Sequence, residues 1–428
     1  MKLLIRGGRL IEPSLGLDGR YDVLVEDGKV IDLVQGGLPK APEGAKVYEA
    51  AGKVIAPGFI DIHVHLREPG QEYKEDIETG TRAAMAGGFT SVCCMANTEP
   101  CNDNAQVTKY ILDRAAATAK INVFPIGAIT KGLEGKELAE MGDMMAAGAV
   151  AFSDDGKCLQ NAELMRRALE YARGLGAPVI NHSEDCDLVG HGCMNEGIVS
   201  ARLGLHGNPV TAEIVQVGRD IVVAEAARSR LHVPHASAKG SIDLVRQAKE
   251  RGAAVTCEVT PHHLLLTEEA VALYNTNAKM APPLRTEEDR QALCEALASG
   301  VIDCIATDHA PHSPDEKDRE FELAPNGVIG METALPVALL LVERGIISLP
   351  KLVERLTVGA ARCIGLRKGT LAKGADADIT VFDPGVPVEV NANRFQSKSR
   401  NCPFHGWKLK GHVEAVFCGG KPVWGNAA

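Results

Sequence analysis

Residues 61–68 read DIHVHLRE, and this octapeptide combines the features of a buried strand with those of a polar site. It overlaps an apolar run, FIDIHV, of the kind typical of strands buried on both faces. Side chains two residues apart on a strand share one face, so His63, His65 and Arg67 are expected to point the same way. Burying an unpaired polar group costs on the order of 1–3 kcal/mol, so we expect these side chains to serve a site.

Seven further strand-like runs follow this one, separated by helix-like segments such as AELMRRALEYARGLG and TEEDRQALCEALASG. Eight strands alternating with helices over residues 57–369 predict a (β/α)8 TIM barrel. An open doubly wound sheet is the alternative, but it normally carries a glycine-rich phosphate loop after an early strand, and the sequence has none there. The eight runs are FIDIHVHL, TSVCCMAN, INVFPIGAI, AVAFSDD, PVINHSE, RLHVPHAS, AVTCEVTPHHLLL and DCIATDHAPH.

Both ends of the chain differ in sequence pattern from the middle, because they consist of short β-like runs broken by Gly and Asp turns. LLIRGGRLIEP and DVLVEDGKVIDL stand near the start, and GTLAKGADADITVFDP and HVEAVFCGGKPVWG near the end. EDGK is a hairpin signal. Because 428 residues exceed the ~250–300 at which one core usually stops growing, a second domain is expected. We predict a small composite β-sandwich domain from residues 1–56 plus 370–428, beside the barrel of residues 57–369.

Composition excludes several classes of function. With 46 basic and 56 acidic residues the net charge is −10, which argues against a nucleic-acid partner. The amino terminus reads as a strand and not as a signal peptide, and the longest apolar run, at 334–342, is too short to span a bilayer. We therefore expect a cytoplasmic protein with no membrane association. The 12 cysteines lack CxxC spacing and are expected to be mostly buried free thiols.

Polar residues recur where the predicted strands end, and catalytic groups of a barrel lie at that end. Imidazole and carboxylate donors without thiolates suit a borderline metal such as zinc, with manganese or cobalt as alternatives. Either Asp154 or Asp155 could bridge two ions. The strand-end residues are His63, His65, Arg67, Asn97, Ser153, Asp154, Asp155, His182, His235 and Asp308, with His309 and His312 just after.

Other histidines are expected to have ordinary roles. His232 falls on the opposite face of its strand from His235 and reads as packing or surface. His262 and His263 are expected on the seventh strand, as supporting or structural groups. The histidines outside strand ends, expected at the surface or in loops, are His191, His206, His405 and His412.

Six motifs together resemble the amidohydrolase superfamily and, more closely, the class I dihydroorotases: PGFIDIHVHLREPG, MANTEP, FSDDG, INHSED, KMAPPLR and ATDHAPH. The resemblance covers essentially the whole chain. It implies the reversible cyclisation of N-carbamoyl-L-aspartate to L-dihydroorotate in pyrimidine biosynthesis, with two zinc ions per subunit.

The resemblance also implies a role for each site residue. One ion takes His63, His65 and Asp308. The second takes His182 and His235, and FSDDG supplies the bridging carboxylate, with Asp155 favoured over Asp154. Asp308 is implied as general base and then general acid. The residues implied in substrate binding are His65, Arg67, Asn97, His312, Asn326 and Gly327.

The chain departs from the family pattern at two positions. Ala281 replaces the usual asparagine of KMNPPLR, which puts one substrate contact in doubt, and APNG replaces APFG. The polar segment of residues 312–327 is either a solvated surface loop or, as our hypothesis, a mobile lid that carries Asn326 and Gly327 over the substrate.

Two other functions compete with this one. A hydantoinase or allantoinase would share the barrel, but such enzymes typically bridge their metals with a carboxylated lysine where this chain has FSDDG. A non-catalytic scaffold for aspartate transcarbamoylase is disfavoured because the ligand set His63, His65, His182, His235 and Asp308 is complete. A homodimer is expected, and a complex with aspartate transcarbamoylase is a further possibility for the active enzyme.

Overall fold

The chain is a mixed α/β protein in the computed structural model, which describes residues 1–425. In chain order the strands are β1 (Lys2–Glu12), β2 (Leu17–Glu26), β3 (Lys29–Gln35), β4 (Lys46–Glu49), β5 (Val54–Pro57), β6 (Phe59–Val64), β7 (Phe89–Cys94), β8 (Asn122–Pro125), β9 (Phe152–Ser153), β10 (Val179–Ile180), β11 (Met194–Asn195), β12 (Gly207–Asn208), β13 (Leu231–Val233), β14 (Val255–Val259), β15 (Cys304–Ile305), β16 (Ile379–Glu389), β17 (Lys408–Cys418) and β18 (Lys421–Gly425). The α-helices are α1 (Ile77–Ala86), α2 (Ala105–Thr118), α3 (Met141–Ala147), α4 (Ala162–Leu175), α5 (Cys186–Val189), α6 (Ile198–Leu203), α7 (Val210–Ala227), α8 (Lys239–Glu250), α9 (Pro261–Leu265), α10 (Glu287–Ser299), α11 (Pro314–Lys317), α12 (Ala334–Glu343), α13 (Leu349–Leu356) and α14 (Val358–Ile364). Short 3-10 helices span Lys131–Leu133, Glu268–Tyr274, Thr276–Ala278, Met331–Thr333 and Ala392–Arg394.

Eight parallel strands form the centre of the molecule, and each of the eight predicted runs contains one of them. They make two sheets, in the orders β6-β7-β8 and β15-β14-β13-β10-β9. Isolated parallel bridges pair Gly127 with Phe152 and Val64 with His309. These bridges join the end of β8 to β9, and the segment after β15 to β6. The two sheets are therefore connected at both edges, by one parallel bridge at each edge.

Burial explains why these strands read as apolar runs. All six residues of β6 and all six of β7 are buried, as expected of parallel strands covered on both faces. Helix α4 shows how the outer layer packs: its buried residues repeat at helical spacing on one face. Its N-cap Asn161 accepts a hydrogen bond from the amide of Leu164, and Gly176 ends it in the left-handed conformation. The buried residues of α4 are Met165, Ala168, Leu169 and Ala172.

Strands from both ends of the chain share one eight-stranded sheet, in the order β18-β17-β16-β5-β1-β2-β3 with β4 on β1. Antiparallel pairing of β16 with β5 joins the two ends, with Ile379 opposite Pro57. The EDGK hairpin forms as expected, because Asp27 and Gly28 both take the positive φ that a two-residue type I′ turn requires.

The position of His262 and His263 corrects one expectation. They lie on α9 and not on the seventh strand, because β14 ends at Val259. Thr260 caps the helix by accepting a hydrogen bond from the amide of His263, and Pro261 occupies the first turn, which favours helix over strand.

A small parallel pair, β11 with β12, was not predicted, because each strand has only two residues. It belongs to a layer at the carboxyl ends of the central strands, packed around an apolar cluster that includes Met194, Met280 and Phe321. Within residues 1–425, no helix has both the length and the apolarity needed to cross a bilayer.

Candidate metal centre

At the end of β6, the buried imidazoles of two histidines lie close to the carboxylates of two aspartates. Nε2 of His63 lies 3.5 Å from Oδ1 of Asp155 and 3.5 Å from Oδ1 of Asp308. Nε2 of His65 lies 3.1 Å from Oδ1 of Asp308 and 3.5 Å from Oδ2 of Asp155. All four side chains are buried. The spacing in HVH therefore places both rings on one face, as the sequence predicts.

A second pair of histidines approaches Asp155 from β10 and β13. Nδ1 of His182 and Nε2 of His235 each lie 3.5 Å from Oδ1 of Asp155. The candidate ligand atoms of His63, His65 and Asp155 lie within 4.8 Å of one another, and so do those of Asp155, His182 and His235. Asp155 thus belongs to both groups and links them.

Four buried atoms of this cluster have no hydrogen-bond partner among the described residues. Leaving such atoms unsatisfied costs on the order of 1–3 kcal/mol each, and they converge on one region. Nitrogen and carboxylate oxygen donors at this spacing fit divalent ions such as zinc. The four atoms are Nε2 of His63, Oδ1 of Asp155, Nδ1 of His182 and Nε2 of His235.

Asp154 and Asp155 have different partners. Oδ1 of Asp154 accepts hydrogen bonds from the amides of Ile129 (2.7 Å) and Thr130 (3.0 Å), and the Thr130 hydroxyl donates to its other oxygen. Burial favours the neutral form of Asp155, but the imidazoles of His63, His182 and His235 outweigh it and hold its pKa well below the usual range. Asp154 therefore fastens the loop after β8, and Asp155 alone of the two faces the histidines.

Glu258 orients His63, and sequence reasoning missed it. Its Oε1 lies 2.6 Å from Nδ1 of His63, and its Oε2 lies 3.0 Å from Nε2 of His232. The carboxylate is fully buried in β14. The feature of the sequence that could have identified this residue is a single glutamate inside the buried strand VTCEV. His232 is buried too and binds Glu258 and Thr256, so of its two expected roles the surface role is wrong.

Three residues of the site have backbones in the left-handed region. The φ angles are 62° for Arg67, 30° for His235 and 47° for Asp308. Such angles are uncommon outside glycine and cost roughly 1–3 kcal/mol each. The surrounding packing holds them, which is a pattern typical of functional sites.

A cavity of about 270 Å³ opens beside the cluster. On its wall, Nε of Arg67 donates a hydrogen bond to the Pro311 carbonyl (3.1 Å), and no side-chain or main-chain partner within residues 1–425 binds its terminal nitrogens. Oδ1 of Asn97 lies 2.8 Å from Nδ1 of His65. The lining residues are His65, Arg67, Asn97, Asp155, Gly156, Cys158, His182, Glu184, His235, Ala281, Asp308, Ala310, His312, Asn326 and Gly327.

All residues expected to contact the substrate therefore meet at one cavity. Nε2 of His312 lies 2.8 Å from the carbonyl oxygen of Asn326, and burial, with help from Arg67 and Lys317, lowers the pKa of His312 to about 3. Ala281 contributes a methyl group to the wall where the family pattern has an amide.

The remaining histidines and cysteines behave largely as expected. His263 is buried and its ring contacts the Thr260 hydroxyl and the Pro282 carbonyl, which is a structural role. Cys186 is exposed and Cys158 reaches the cavity wall, so not every thiol is buried. The exposed histidines are His191, His206, His405 and His412, as predicted.

Comparison with known proteins places this site in a family. A family model described as "Dihydro-orotase-like" matches residues 52–241. The dihydroorotase of Geobacter metallireducens is 54% identical over 424 residues, covering 99% of this chain and 100% of that protein. The dihydroorotase of Geobacter sulfurreducens is 56% identical over 423 residues, covering 99% of both.

The solved structures that superpose on this chain include a hydantoinase and a dihydropyrimidinase. The L-hydantoinase (dihydropyrimidinase) from Arthrobacter aurescens superposes with a TM-score of 0.89 at 26% identity, covering 100% of this chain and 96% of that one. The dihydropyrimidinase from Brevibacillus agri NCHU1002 gives a TM-score of 0.86 at 26% identity, with the same coverage.

Proposed function

The chain belongs to the dihydro-orotase-like family, and we propose that it catalyses the reversible cyclisation of N-carbamoyl-L-aspartate to L-dihydroorotate and water, a step of de novo UMP synthesis. One observation carries the proposal: Asp155 links two histidine pairs at the wall of a cavity that also presents Arg67. Full-length identity of 50–56% to dihydroorotases supports it.

We propose the corresponding architecture as well. The unbroken series of parallel neighbours supports a closed (β/α)8 barrel over residues 57–369. The single mixed sheet of β1–β5 and β16–β18 supports a composite β domain from residues 1–56 plus 370–428, and we propose that this sheet folds over as a β-sandwich. Pro57 at the end of β5 overlaps the proposed boundary by one residue.

We propose zinc as the metal, with two ions per subunit. His63, His65 and Asp308 would hold one ion, His182 and His235 the other, and Asp155 would bridge them. When bound, divalent ions supply an activated water and polarise a scissile carbonyl.

The chain's own residues move the proton and hold the substrate. Burial disfavours the charged form of Asp308, but His63 and His65 outweigh it, and its pKa lies well below the usual range. Its carboxylate is therefore available as general base, and in the ring-opening direction it would pass the proton to the departing ring nitrogen. Cyclisation reverses these roles.

Arg67 gives the cavity its preference for an acidic substrate. Its buried guanidinium is fixed through Nε, which leaves the planar fork of terminal nitrogens free for a carboxylate. Asn97, His65 and His312 line the same cavity, and so do Asn326 and Gly327. We propose that these residues bind the substrate.

A hydantoinase is the alternative, because the similar solved structures carry that name and dihydropyrimidinase. Against it, the bridging position holds Asp155 and not a lysine, and Arg67 suits an anionic ring. Turnover of dihydroorotate, hydantoin and allantoin by one purified, metal-loaded preparation separates these functions. We expect dihydroorotate to be preferred by about 100-fold or more in kcat/KM. Preference for hydantoin or allantoin would contradict the proposal, and no turnover of any of the three would favour a scaffold.

The expected assembly and location remain predictions. Light scattering tests the homodimer, and co-elution with aspartate transcarbamoylase tests the larger complex. The cytoplasmic location is tested by fractionation of cells that express the full chain.

A further inference from the structure

Two lysines are buried beneath the segment that carries Asn326 and Gly327. Lys279 and Lys317 are each only 5% exposed. No carboxylate oxygen within residues 1–425 comes within 4.0 Å of either ammonium nitrogen. Buried ammonium groups without an anion are uncommon, because losing hydration is costly unless other groups replace the water.

Main-chain carbonyls replace that water. Nζ of Lys279 donates to the carbonyls of Phe321 (2.7 Å), Glu322 (2.9 Å) and Ala324 (2.6 Å). An ammonium group has three N–H donors, so this one is fully satisfied. The ring of Phe321 lies 5.4 Å from the same nitrogen, a cation–π distance.

The second lysine completes the arrangement. Nζ of Lys317 donates to the carbonyls of Pro325 (2.9 Å) and Gly327 (3.0 Å), and more weakly to that of Lys279 (3.4 Å). In return, the amide of Gly327 donates to the carbonyl of Lys279 at 3.0 Å. Six carbonyls therefore accept hydrogen bonds from two buried lysine nitrogens, and five of the six come from residues 321–327.

We propose that Lys279 and Lys317 are positioning residues that hold the main chain of residues 321–327, so that Asn326 and Gly327 form a preassembled wall for an anionic substrate and not the mobile lid that the sequence suggests. The inference rests on the proposed function and extends it to two residues outside the cavity. Preassembly lowers the ordering cost of binding, so its loss should appear in KM more than in kcat.

Methionine variants test the idea, because methionine keeps the length of the side chain and removes its charge. For Lys279→Met and Lys317→Met we expect KM for dihydroorotate to rise about 10-fold or more, with kcat within about 3-fold. Zinc content should be unchanged, and the Lys→Arg variants, which keep a cation, should recover part of the loss. Lys120→Met, at an exposed lysine, is the matched control. Unchanged KM in both folded variants, or a fall in kcat alone, would overturn the proposal.

Hydrogen exchange on the wild-type, metal-loaded protein gives a second measurement if the variants do not fold. The amide of Gly327 should exchange about 1,000-fold or more slowly than in an unstructured peptide. Exchange at the unstructured rate would overturn the proposal. Failure of the wild type to turn over dihydroorotate would contradict the proposed function, while the exchange rate of Gly327 would still show whether the wall is preassembled.

Discussion

Oε1 of Glu258 lies 2.6 Å from Nδ1 of His63, and this contact fixes which imidazole nitrogen faces the candidate ligand cluster. A carboxylate accepts hydrogen bonds, so Nδ1 carries a hydrogen and Nε2 is the ring nitrogen that lies beside Asp155 and Asp308. Carboxylates in this position commonly hold metal-binding histidines in the correct tautomer. Glu258 is thus part of the site, although it is not itself a candidate ligand.

Replacing Glu258 with glutamine should weaken metal binding. Glutamine keeps the shape of the Glu258 side chain, but its amide is a poorer hydrogen-bond acceptor than the carboxylate and can orient the His63 ring wrongly. We expect zinc affinity to fall about 10- to 100-fold, measured by competition with a chromogenic chelator. Glu250→Gln, on the exposed side of α8, is the control. Equal affinities in the two variants would remove the orienting role of Glu258.

Replacing Asp308 with asparagine should remove the proton carrier. We expect kcat for dihydroorotate to fall about 100- to 10,000-fold when measured at saturating zinc. Asp143→Asn, at an exposed position of α3, should leave kcat unchanged. A kcat within about 10-fold of wild type would rule out general base catalysis by Asp308.

Gly327→Ala should disturb the cavity wall. The φ of Gly327 is 133°, and an added Cβ would lie 2.8 Å from Cβ of Ala310 and 3.1 Å from Nε2 of His312. We expect a loss of about 1–3 kcal/mol in stability and a higher KM. Gly345 also has a positive φ (70°) but no atom within 4 Å of such a Cβ. Gly345→Ala should therefore lower Tm slightly and leave KM unchanged, and equal KM values for both variants would contradict this view of the wall.

Glu332 should make stability depend on pH. Burial raises its pKa from 4.5 to about 7, against hydrogen bonds that the amides of Gln396 and Ser397 donate. A raised carboxyl pKa contributes stability that is complete below pH 4.5 and is lost as pH rises through 7. The shift corresponds to on the order of 3 kcal/mol. The Tm of Glu332→Gln relative to wild type should therefore rise between pH 5 and pH 8, with zinc present throughout. A constant difference would show that Glu332 titrates normally.

Much of the fold could be predicted because local patterns and tertiary structure agree. Helices α4 and α10 fall where the helix-like segments AELMRRALEYARGLG and TEEDRQALCEALASG lie in the sequence. The eight apolar runs each contain a parallel strand, even though β9, β10 and β15 have only two residues. HVH predicts the shared face of His63 and His65 because the period of a strand is two residues.

The remaining features depend on contacts between distant parts of the chain. Asp154 and Asp155 are adjacent, and only their tertiary contacts distinguish them: Ile129 and Thr130 bind Asp154, whereas the histidines lie beside Asp155. In the sequence Glu258 is an isolated polar residue, and its contact with His63 exists only in the folded chain. From the sequence, Lys279 and Lys317 resemble ordinary surface lysines. Their partners are main-chain carbonyls, which every residue has, so the sequence does not show which ones bind them.

The most direct test of the linked centre is zinc content together with dihydroorotate turnover, for the wild type and for Asp155→Asn. The wild type should bind about two zinc ions per chain, lose turnover when a chelator removes them and regain it when zinc is restored. Asp155→Asn should bind fewer ions and be inactive. Full turnover by metal-free wild type, or two ions and full activity in Asp155→Asn, would contradict a metal centre joined through Asp155.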